Sequence, residues 1–190
     1  MKAVILAAGK GKRLHSEETK LPKCMVRANG RPLLDYVLDY TSFIPREDKI
    51  IVVGFYKEVI EAHLPGYSFA FQREQKGTGD AVMAAYDLLA DYGGDVLVIN
   101  GDMPLIRESS LRALLELHRR EANDCTVLTY YESGELPPFG RVLRGADGRV
   151  CDIREYKDAN ESERAVRELN GGIYVFDCKK LFDCLQLLEP

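Results

Sequence analysis

The sequence predicts an α/β protein: a Rossmann-like, mostly parallel sheet followed by an inserted β-rich lid. Over the first 123 residues, short apolar and β-branched runs alternate with segments whose apolar residues recur at helical spacing. Such alternation is typical of βαβ units and of a parallel sheet. After Asp124 the apolar runs follow one another closely, and Asp147-Gly148 marks a hairpin turn between two of them. We expect one domain, 1–190, with halves 1–123 and 124–190.

The predicted elements follow from these patterns in chain order. The first half is expected to contain strands at 3–6, 49–53, 69–71 and 95–99, and helices that begin at Arg31-Pro32, cover 56–63 and 78–89, and begin again at Ser109 or Ser110. Pro32 suits a first helical turn because an N–H there has no intrahelical partner, and Thr78 and Asp80 are expected to cap their helix. The second half is expected to contain strands at 126–131, 140–143, 149–153 and 167–176, the last interrupted at 170–172, and a helix at 179–188.

Composition and charge argue against several function classes. Hydrophobic residues make up 46% of the chain and charged residues 29%, which is ordinary for a globular protein. The net charge of −4 argues against nucleic-acid binding, because no basic face is present to neutralise a phosphate backbone. No apolar run reaches membrane-spanning length and no signal-peptide core is present, so no membrane partner is expected. The five cysteines form no C-x-x-C pair, which indicates reduced thiols and a cytoplasmic location.

The loop that follows the first strand combines small and basic residues. Gly9 and Gly11 let the backbone approach a ligand, and successive amides in such a loop cradle anionic oxygens. The basic residues that accompany them supply countercharge; they are Lys10, Lys12, Arg13, Lys20 and Lys23. The dinucleotide fingerprint fails because Leu14 stands at its third glycine, and no P-loop motif is present. The loop therefore predicts a phosphate site of another kind, with a solvated basic loop as the alternative.

Ligands of open parallel sheets lie beyond the carboxyl ends of the strands, which brings the loops 7–23, 72–79 and 100–104 together. Gln72 can donate and accept, and the backbone of Gly77 and Thr78 can read a base edge, although a glycine loop with an N-cap threonine is the alternative. Asp102 directly follows a strongly apolar strand. One carboxylate together with substrate phosphate oxygens is the usual way in which Mg²⁺ is bound; the alternative role for Asp102 is a helix cap.

Motifs in these loops and beyond them resemble one family. L-A-A-G-x-G-x-R-[ML] followed by L-P-K resembles the signature of the sugar nucleotidyltransferases. G-T-G-[DH]-A, G-D-x-P-L, F-G-R, E-Y-K-D-A and L-N-[TG]-G-I-Y together resemble the uridylyltransferase domain of bacterial bifunctional N-acetylglucosamine-1-phosphate uridylyltransferases. The resemblance covers residues 1–176. It implies the nucleotide-diphospho-sugar transferase fold, with the β-rich lid binding the sugar.

The resemblance also implies an activity and the residues that carry it. UTP and N-acetylglucosamine-1-phosphate would be joined, with Mg²⁺, to give UDP-N-acetylglucosamine, a cell-wall precursor, and pyrophosphate. Arg13, Lys23 and Asp102 would be catalytic, with Asp102 as the metal ligand. The nucleotide would be bound by Leu6, Ala7, Ala8, Gly9, Gln72, Gly77, Thr78, Asn100 and Gly101. The amino sugar would face Gly140, Glu155 and Asn170.

The chain departs from the family pattern in three places. Gly171 stands where the family often has Thr, and Asn100 where it often has Tyr. The family also continues to an Asn that is the second metal ligand and to an acetyltransferase domain, so we expect a chain truncated at its C-terminus. The alternatives are a transferase for another sugar or alcohol phosphate that uses CTP or dTTP, and a nucleotide-sugar binding module without turnover. An NAD-binding domain is disfavoured by Leu14.

Overall fold

In the computed structural model, which describes residues 1–9 and 21–187, the chain divides into two units. The first contains residues up to Thr126 together with the C-terminal segment from Tyr174, and the second contains Val127–Ile173. The predicted halves, 1–123 and 124–190, stay a prediction about domains. The segment after Ile173 belongs to the first unit, because the end of the last long strand pairs with β6 there.

Ten strands occur among the described residues, and they are labelled in chain order. They are β1 (Lys2–Leu6), β2 (Arg27–Ala28), β3 (Arg31–Pro32), β4 (Lys49–Val53), β5 (Ser68–Phe71), β6 (Asp95–Asn100), β7 (Cys125–Tyr131), β8 (Arg141–Arg144), β9 (Val150–Arg154) and β10 (Glu168–Asp177). The α-helices are Leu33–Tyr40, Lys57–His63, Thr78–Met83, Tyr86–Leu89, Glu108–Arg120, Glu161–Arg164 and Cys178–Leu185. No helix in the described ranges is both long and apolar enough to cross a membrane.

The sheet of the first unit is parallel in the order β5-β4-β1-β6, and the end of β10 pairs antiparallel with β6. All five residues of β4 are buried, as are the central three of β1 and the central four of β6. Strands that are buried on both faces need helices on both sides, which explains their unbroken apolar runs. On one face Val4, Val52 and Val98 pack with apolar residues of helices 78–83, 86–89 and 178–185. The predicted α/β architecture is confirmed.

Two helix starts differ from their predictions. Asn29 and Gly30 both have positive φ and turn the chain between β2 and β3, so Arg31-Pro32 lies in a strand and the helix begins at Leu33. Asn-Gly is the preferred two-residue hairpin turn, because both residues tolerate positive φ. The helix predicted from Ser109 or Ser110 begins at Glu108, and no side chain caps it.

The helix predicted over 78–89 is two helices, Thr78–Met83 and Tyr86–Leu89. Its predicted capping by Thr78 or Asp80 is wrong, because Gly77 is the N-cap and no side chain caps the helix. The Asp80 carboxylate accepts a hydrogen bond from Gln72 instead. Asp80 is a residue type that suits an N-cap, but its carboxylate contacts the Gln72 side chain instead of the helix backbone.

In the second unit, β8 and β9 form a hairpin whose turn contains Gly148 at φ +77°, and Leu169 of β10 pairs with Arg141 of β8. Strand β10 runs unbroken from Glu168 to Asp177, so the predicted interruption at 170–172 is absent. A Cβ atom at position 171 would lie 2.5 Å from the carbonyl oxygen of Leu128 in β7. This close approach of two backbones explains why glycine occupies position 171.

The Glu168 carboxylate is the buried anion of the second unit. It is 3% exposed and accepts hydrogen bonds from Arg144 Nε and Nη2 at 2.7 and 2.6 Å, from Thr129 Oγ1 at 2.9 Å and from Tyr131 Oη at 3.2 Å. The hydrogen bonds from Arg144, followed by that from Thr129, hold the pKa of Glu168 below its usual value despite burial. The ionised carboxylate therefore joins three strands, β7, β8 and β10.

Because the pKa of Glu168 is lower in the folded protein, its stabilisation is complete above the unfolded pKa of about 4.3 and is lost as the pH falls through the folded pKa. We expect Glu168→Gln to lower the free energy of unfolding by about 1–3 kcal/mol at pH 7, because the amide cannot accept from all these donors. Below about pH 4 the difference from the unsubstituted protein should shrink. Urea unfolding as a function of pH measures both effects.

The exposed Glu135 provides the matched control for this substitution. Glu135→Gln removes the same charge and should leave the free energy of unfolding unchanged at every pH. A difference between Glu168→Gln and the unsubstituted protein that is independent of pH would contradict the assignment.

Candidate active site

Backbone hydrogen bonds continue past the ends of three strands and fix the loops that follow them. Ala7 N donates to Val52 O, Gln72 N to Val53 O and Gly101 N to Leu6 O, each at 2.8 Å. The parallel strands have the sequence order third, second, first, fourth. The chain therefore passes from β1 to β4 on one side of β1, and later returns from β5 to β6 on its other side. Such a switch point opens a crevice at the carboxyl ends of the strands. The described parts of the three loops predicted to meet, 7–9 and 21–23, 72–79, and 100–104, therefore border that crevice.

A cavity of about 420 Å³ lies at this position in the first unit. The predicted site residues that line it are Leu6, Ala7, Ala8, Gly9, Lys23, Gln72, Gly77, Thr78, Asn100 and Asp102. Cys24, Gln75 and Ala81 also line it and were not predicted. Arg13 lies outside the described residues. Gly101 is not among the lining residues; a Cβ there would lie 3.2 Å from Leu34 Cδ1 and from Leu6 O, so a larger residue would be tightly packed and its neighbours would have to shift.

Lys23 and Asp102 form an ion pair at the cavity. Asp102 is reached from the end of β6, and Lys23 opens the 3₁₀ turn Lys23–Met25 behind Pro22. Their side chains are 46% and 21% exposed respectively, so both groups remain accessible to an incoming ligand. The pair presents a cation and an anion side by side, which suits a ligand that carries phosphates and a divalent metal.

Tyr40 fixes the turn that carries Asp102. Its phenol is largely buried and donates to Met103 O at 2.7 Å. Burial, reinforced by the charge of Asp102, raises the pKa of Tyr40 far above its ordinary value, so the group stays a hydrogen-bond donor at neutral pH. The sequence does not single out Tyr40, because an apolar helix position gives no indication of a contact 63 residues away.

Cys24 is a lining residue without nucleophilic character. Burial, followed by the charge of Asp102, raises the pKa of its thiol to about 12. A thiol that stays protonated at neutral pH is a poor nucleophile. Cys24 is therefore not a candidate nucleophile.

Gln75 shapes the loop after β1. Its Nε2 donates to Ala8 O at 2.9 Å, and a Cβ at Gly54 would lie 3.0 Å from Ala8 Cβ and 3.1 Å from Ala8 O. The loop is thus held against the chain that follows β4, where the glycine at position 54 avoids a tight contact with Ala8. The signal for Gln75 was its place in the Gln-rich 72–79 loop, but a sequence pattern does not identify which of two glutamines reaches across to β1.

Gln72 closes the 72–79 loop. It is 5% exposed, and its Nε2 donates to Gly77 O at 3.1 Å and to Asp80 Oδ2 at 2.7 Å. Gly77 has φ +127° and ψ −176°, a region that is essentially restricted to glycine. The loop conformation and the orientation of the Gln72 amide therefore depend on each other.

The three residues predicted to face the sugar lie together within the second unit. Asn170 N donates to Gly140 O at 2.9 Å, and a Cβ at Gly140 would lie 3.4 Å from Asn170 Cβ and 3.5 Å from Glu155 Oε1. The neighbouring Arg141 is fully buried and donates to the carbonyl oxygens of Pro137, Phe139 and Arg164. It holds the segment before Gly140 in place, a role that the sequence did not indicate.

Comparison with known proteins agrees with this geometry. Residues 3–170 match the family described as the MobA-like NTP transferase domain, and the chain belongs to this family of nucleotidyltransferase domains. The Bifunctional protein GlmU of Streptococcus equi subsp. zooepidemicus is 44% identical over 189 residues, which are 98% of this chain and 40% of that protein. The protein of the same name from Streptococcus thermophilus is 43% identical over 185 residues, 97% of this chain and 39% of its own length.

The chain thus spans 40% or less of the length of these two relatives. The family resemblance predicted from the motifs is confirmed. A solved structure of UDP-glucose pyrophosphorylase complexed with UDP-glucose has a TM-score of 0.80 and 20% identity, and the match covers all of this chain and 80% of that one. This likeness confirms the predicted nucleotidyltransferase fold.

Gly77→Ala tests the dependence of the cavity wall on a glycine-only conformation. We expect the free energy of unfolding to fall by about 1–3 kcal/mol, because alanine is strained at φ +127°. Urea unfolding measures the change. Gly93→Ala is the matched control, since Gly93 has ordinary φ and open space around it, and its stability should be unchanged or slightly higher. Equal effects of the two substitutions would count against this interpretation of the loop.

Proposed function

We propose that this chain is a nucleotidyltransferase domain that joins UTP and N-acetylglucosamine-1-phosphate to give UDP-N-acetylglucosamine and pyrophosphate. The observation that carries the proposal is the cavity at the switch point, which combines the backbone of the loop after β1 with the Lys23–Asp102 pair. The likeness to proteins named bifunctional GlmU supports it. The proposal includes a cytoplasmic location and a role in supplying cell-wall precursors.

The chemistry needs positioning and charge rather than an enzyme nucleophile. An oxygen of the sugar phosphate attacks the α-phosphorus of UTP in line, and the bond from that phosphorus to the leaving pyrophosphate breaks as the new bond forms. The attacking group is already an anion, so no base has to remove a proton. What remains is to hold two anions together and to stabilise the charge that develops. The protonated thiol of Cys24 is consistent with this chemistry.

Lys23 serves as the cation for the phosphates, together with Arg13, whose role is carried by the resemblance. With no nucleotide bound, Lys23 is paired with Asp102. A triphosphate offers Lys23 a stronger partner, and a divalent cation offers one to Asp102. Ligand binding would therefore replace the Lys23–Asp102 ion pair by two contacts: one between Lys23 and the phosphates, and one between Asp102 and the divalent cation.

The residues at the cavity fit Mg²⁺ bound together with substrate. Among the described residues no cluster of three or more His, Cys, Asp or Glu side chains is placed to hold a metal ion by itself. Mg²⁺ is usually held by one or two carboxylates together with substrate phosphates, which matches the accessible carboxylate of Asp102. When bound, Mg²⁺ would neutralise the phosphate charge.

Gly140, Glu155 and Asn170 are proposed as the sugar-binding residues. A carboxylate and an amide supply acceptors and a donor for hydroxyl and acetamido groups, and Gly140 leaves room beside them. Their clustering in the second unit supports the assignment.

A pyrophosphate-release assay with Mg²⁺ tests the proposal. UTP with N-acetylglucosamine-1-phosphate should be the preferred pair over CTP or dTTP and over glucose-1-phosphate. A preference for another nucleotide or sugar phosphate would keep the chemistry and overturn the substrate. Stabilisation by UTP or UDP-N-acetylglucosamine without turnover, measured as a rise in melting temperature, would favour a binding module instead.

Asp102→Asn tests the role of the carboxylate. We expect kcat to fall by about 100-fold or more, because an amide has no charge with which to hold the cation. UTP affinity without metal should be retained or should rise, since Lys23 loses its competing partner. Pyrophosphate release and calorimetric titration measure the two quantities. The exposed Asp91 gives the control Asp91→Asn, which should behave as the unsubstituted protein; normal turnover in Asp102→Asn would exclude Asp102 as the metal ligand.

A further inference from the structure

We propose that Asp80 is a positioning residue that sets base selectivity by fixing which end of the Gln72 amide is available to the nucleobase. The inference rests on the proposed function in that it places a pyrimidine nucleotide in the cavity. It assigns to Asp80 a role that its sequence position, at the start of a helix, did not indicate.

The orientation of the Gln72 amide follows from the chemistry of its partners. One amide atom lies 3.1 Å from Gly77 O and 2.7 Å from Asp80 Oδ2. A backbone carbonyl and an ionised carboxylate have no hydrogen to donate, so the atom that faces both must be the NH2 nitrogen. The reversed amide would place its carbonyl oxygen against two acceptors. Both N–H groups of Gln72 are therefore committed within the loop.

The carbonyl oxygen of Gln72 is what remains for a ligand. It accepts no hydrogen bond from the residues that the structure describes. Within those ranges, Arg141 Nη2 is the one side-chain nitrogen or oxygen that is fully buried and has no partner, so the unpartnered Gln72 Oε1 is not fully buried. The Gln72 side chain lines the cavity together with Gly77. The loop thus offers a fixed acceptor.

A fixed donor accompanies this acceptor. The backbone N–H of Gly77 makes no hydrogen bond within 1–9 and 21–187, and Gly77 also lines the cavity. Uracil presents an acceptor, O4, beside a donor, N3–H, whereas cytosine presents the reverse, an amine beside an unprotonated N3. An acceptor from Gln72 and a donor from Gly77 complement uracil. Cytosine would set like against like, which leaves polar groups unpaired.

Asp80 fixes the orientation of the Gln72 amide more strongly than the carbonyl oxygen of Gly77 does. Its contact with the amide is shorter than that of Gly77 O, and it is the charged acceptor of the two. Without Asp80, one N–H of Gln72 loses its partner and the amide is free to rotate, so that its NH2 group can meet the N3 of cytosine. Selectivity for uracil would then fall although Gln72 itself is still present.

Calorimetric titration with UTP and CTP, without sugar phosphate, tests the inference. We expect the unsubstituted chain to bind UTP more tightly than CTP, and Asp80→Ala to reduce the ratio of the two affinities about tenfold, the effect of one misplaced hydrogen bond. Asp80→Asn keeps an acceptor oxygen and should lose less of the ratio. Asp87→Ala, which removes an exposed aspartate from the following helix, should change nothing.

A double-substitution cycle separates positioning from a general structural effect. If Asp80 acts through Gln72, then Asp80→Ala should change the UTP:CTP ratio in the unsubstituted chain and leave it unchanged in a Gln72→Met background. A merely structural role would weaken both nucleotides equally and would persist in the Gln72→Met background.

The outcomes also distinguish this inference from the proposed function. Turnover of UTP with N-acetylglucosamine-1-phosphate, combined with a UTP:CTP ratio that Asp80→Ala does not change, would overturn the inference and leave the function intact. Equal binding of UTP and CTP by the unsubstituted chain would also overturn it. A ratio that depends on Asp80 in a chain without turnover would support the inference while the proposed activity failed.

Discussion

The pairing of β1 between β4 and β6 is the constraint on which the first unit depends. Leu6 lies opposite Val52 on one side and Asn100 on the other, and the hydrogen bonds continue one residue further, to Ala7 and Gly101. This register brings Ala7 and Gly101, the first residues after β1 and β6, to the same height at the edge of the sheet. A slip by one residue would turn every central side chain of β1 from one packed face of the sheet to the other, and both faces are buried. Core packing therefore fixes the geometry of the cavity.

The groups around the cavity are held by hydrogen bonds, two of them from distant parts of the chain. Gln75 holds Ala8, Tyr40 holds Met103, and Asp80 holds Gln72. These contacts leave two groups within reach of a ligand: the accessible carboxylate of Asp102, whose partner is Lys23, and one oxygen of Gln72. A site that is organised before the ligand arrives loses less conformational entropy on binding. This preorganisation suits a reaction that depends on positioning.

The second unit has less apolar core to hold its strands, and its buried polar groups contribute part of that cohesion. Glu168 joins three strands through Arg144, Thr129 and Tyr131, and Arg141 gathers three backbone carbonyls. The Glu168 network is fully satisfied, and such a network specifies one arrangement more strictly than apolar contacts do. The clustered residues Gly140, Glu155 and Asn170 are built on this frame.

The sequence by itself determined the strands other than the short β2 and β3, the order of the loops and most residues of the cavity, because apolar runs, glycines and short motifs are local signals. Strand 49–53 matched its prediction, and Lys23, Gln72 and Asp102 reached one cavity as the loop positions required. Tertiary structure alone decided that Lys23 pairs with Asp102, that Gln75 reaches Ala8 across 67 positions, and that Asp80 orients Gln72 rather than capping its helix. It also returned the segment after Ile173 to the first unit. These outcomes depend on which side chains meet after folding. A local sequence pattern contains no information about those contacts.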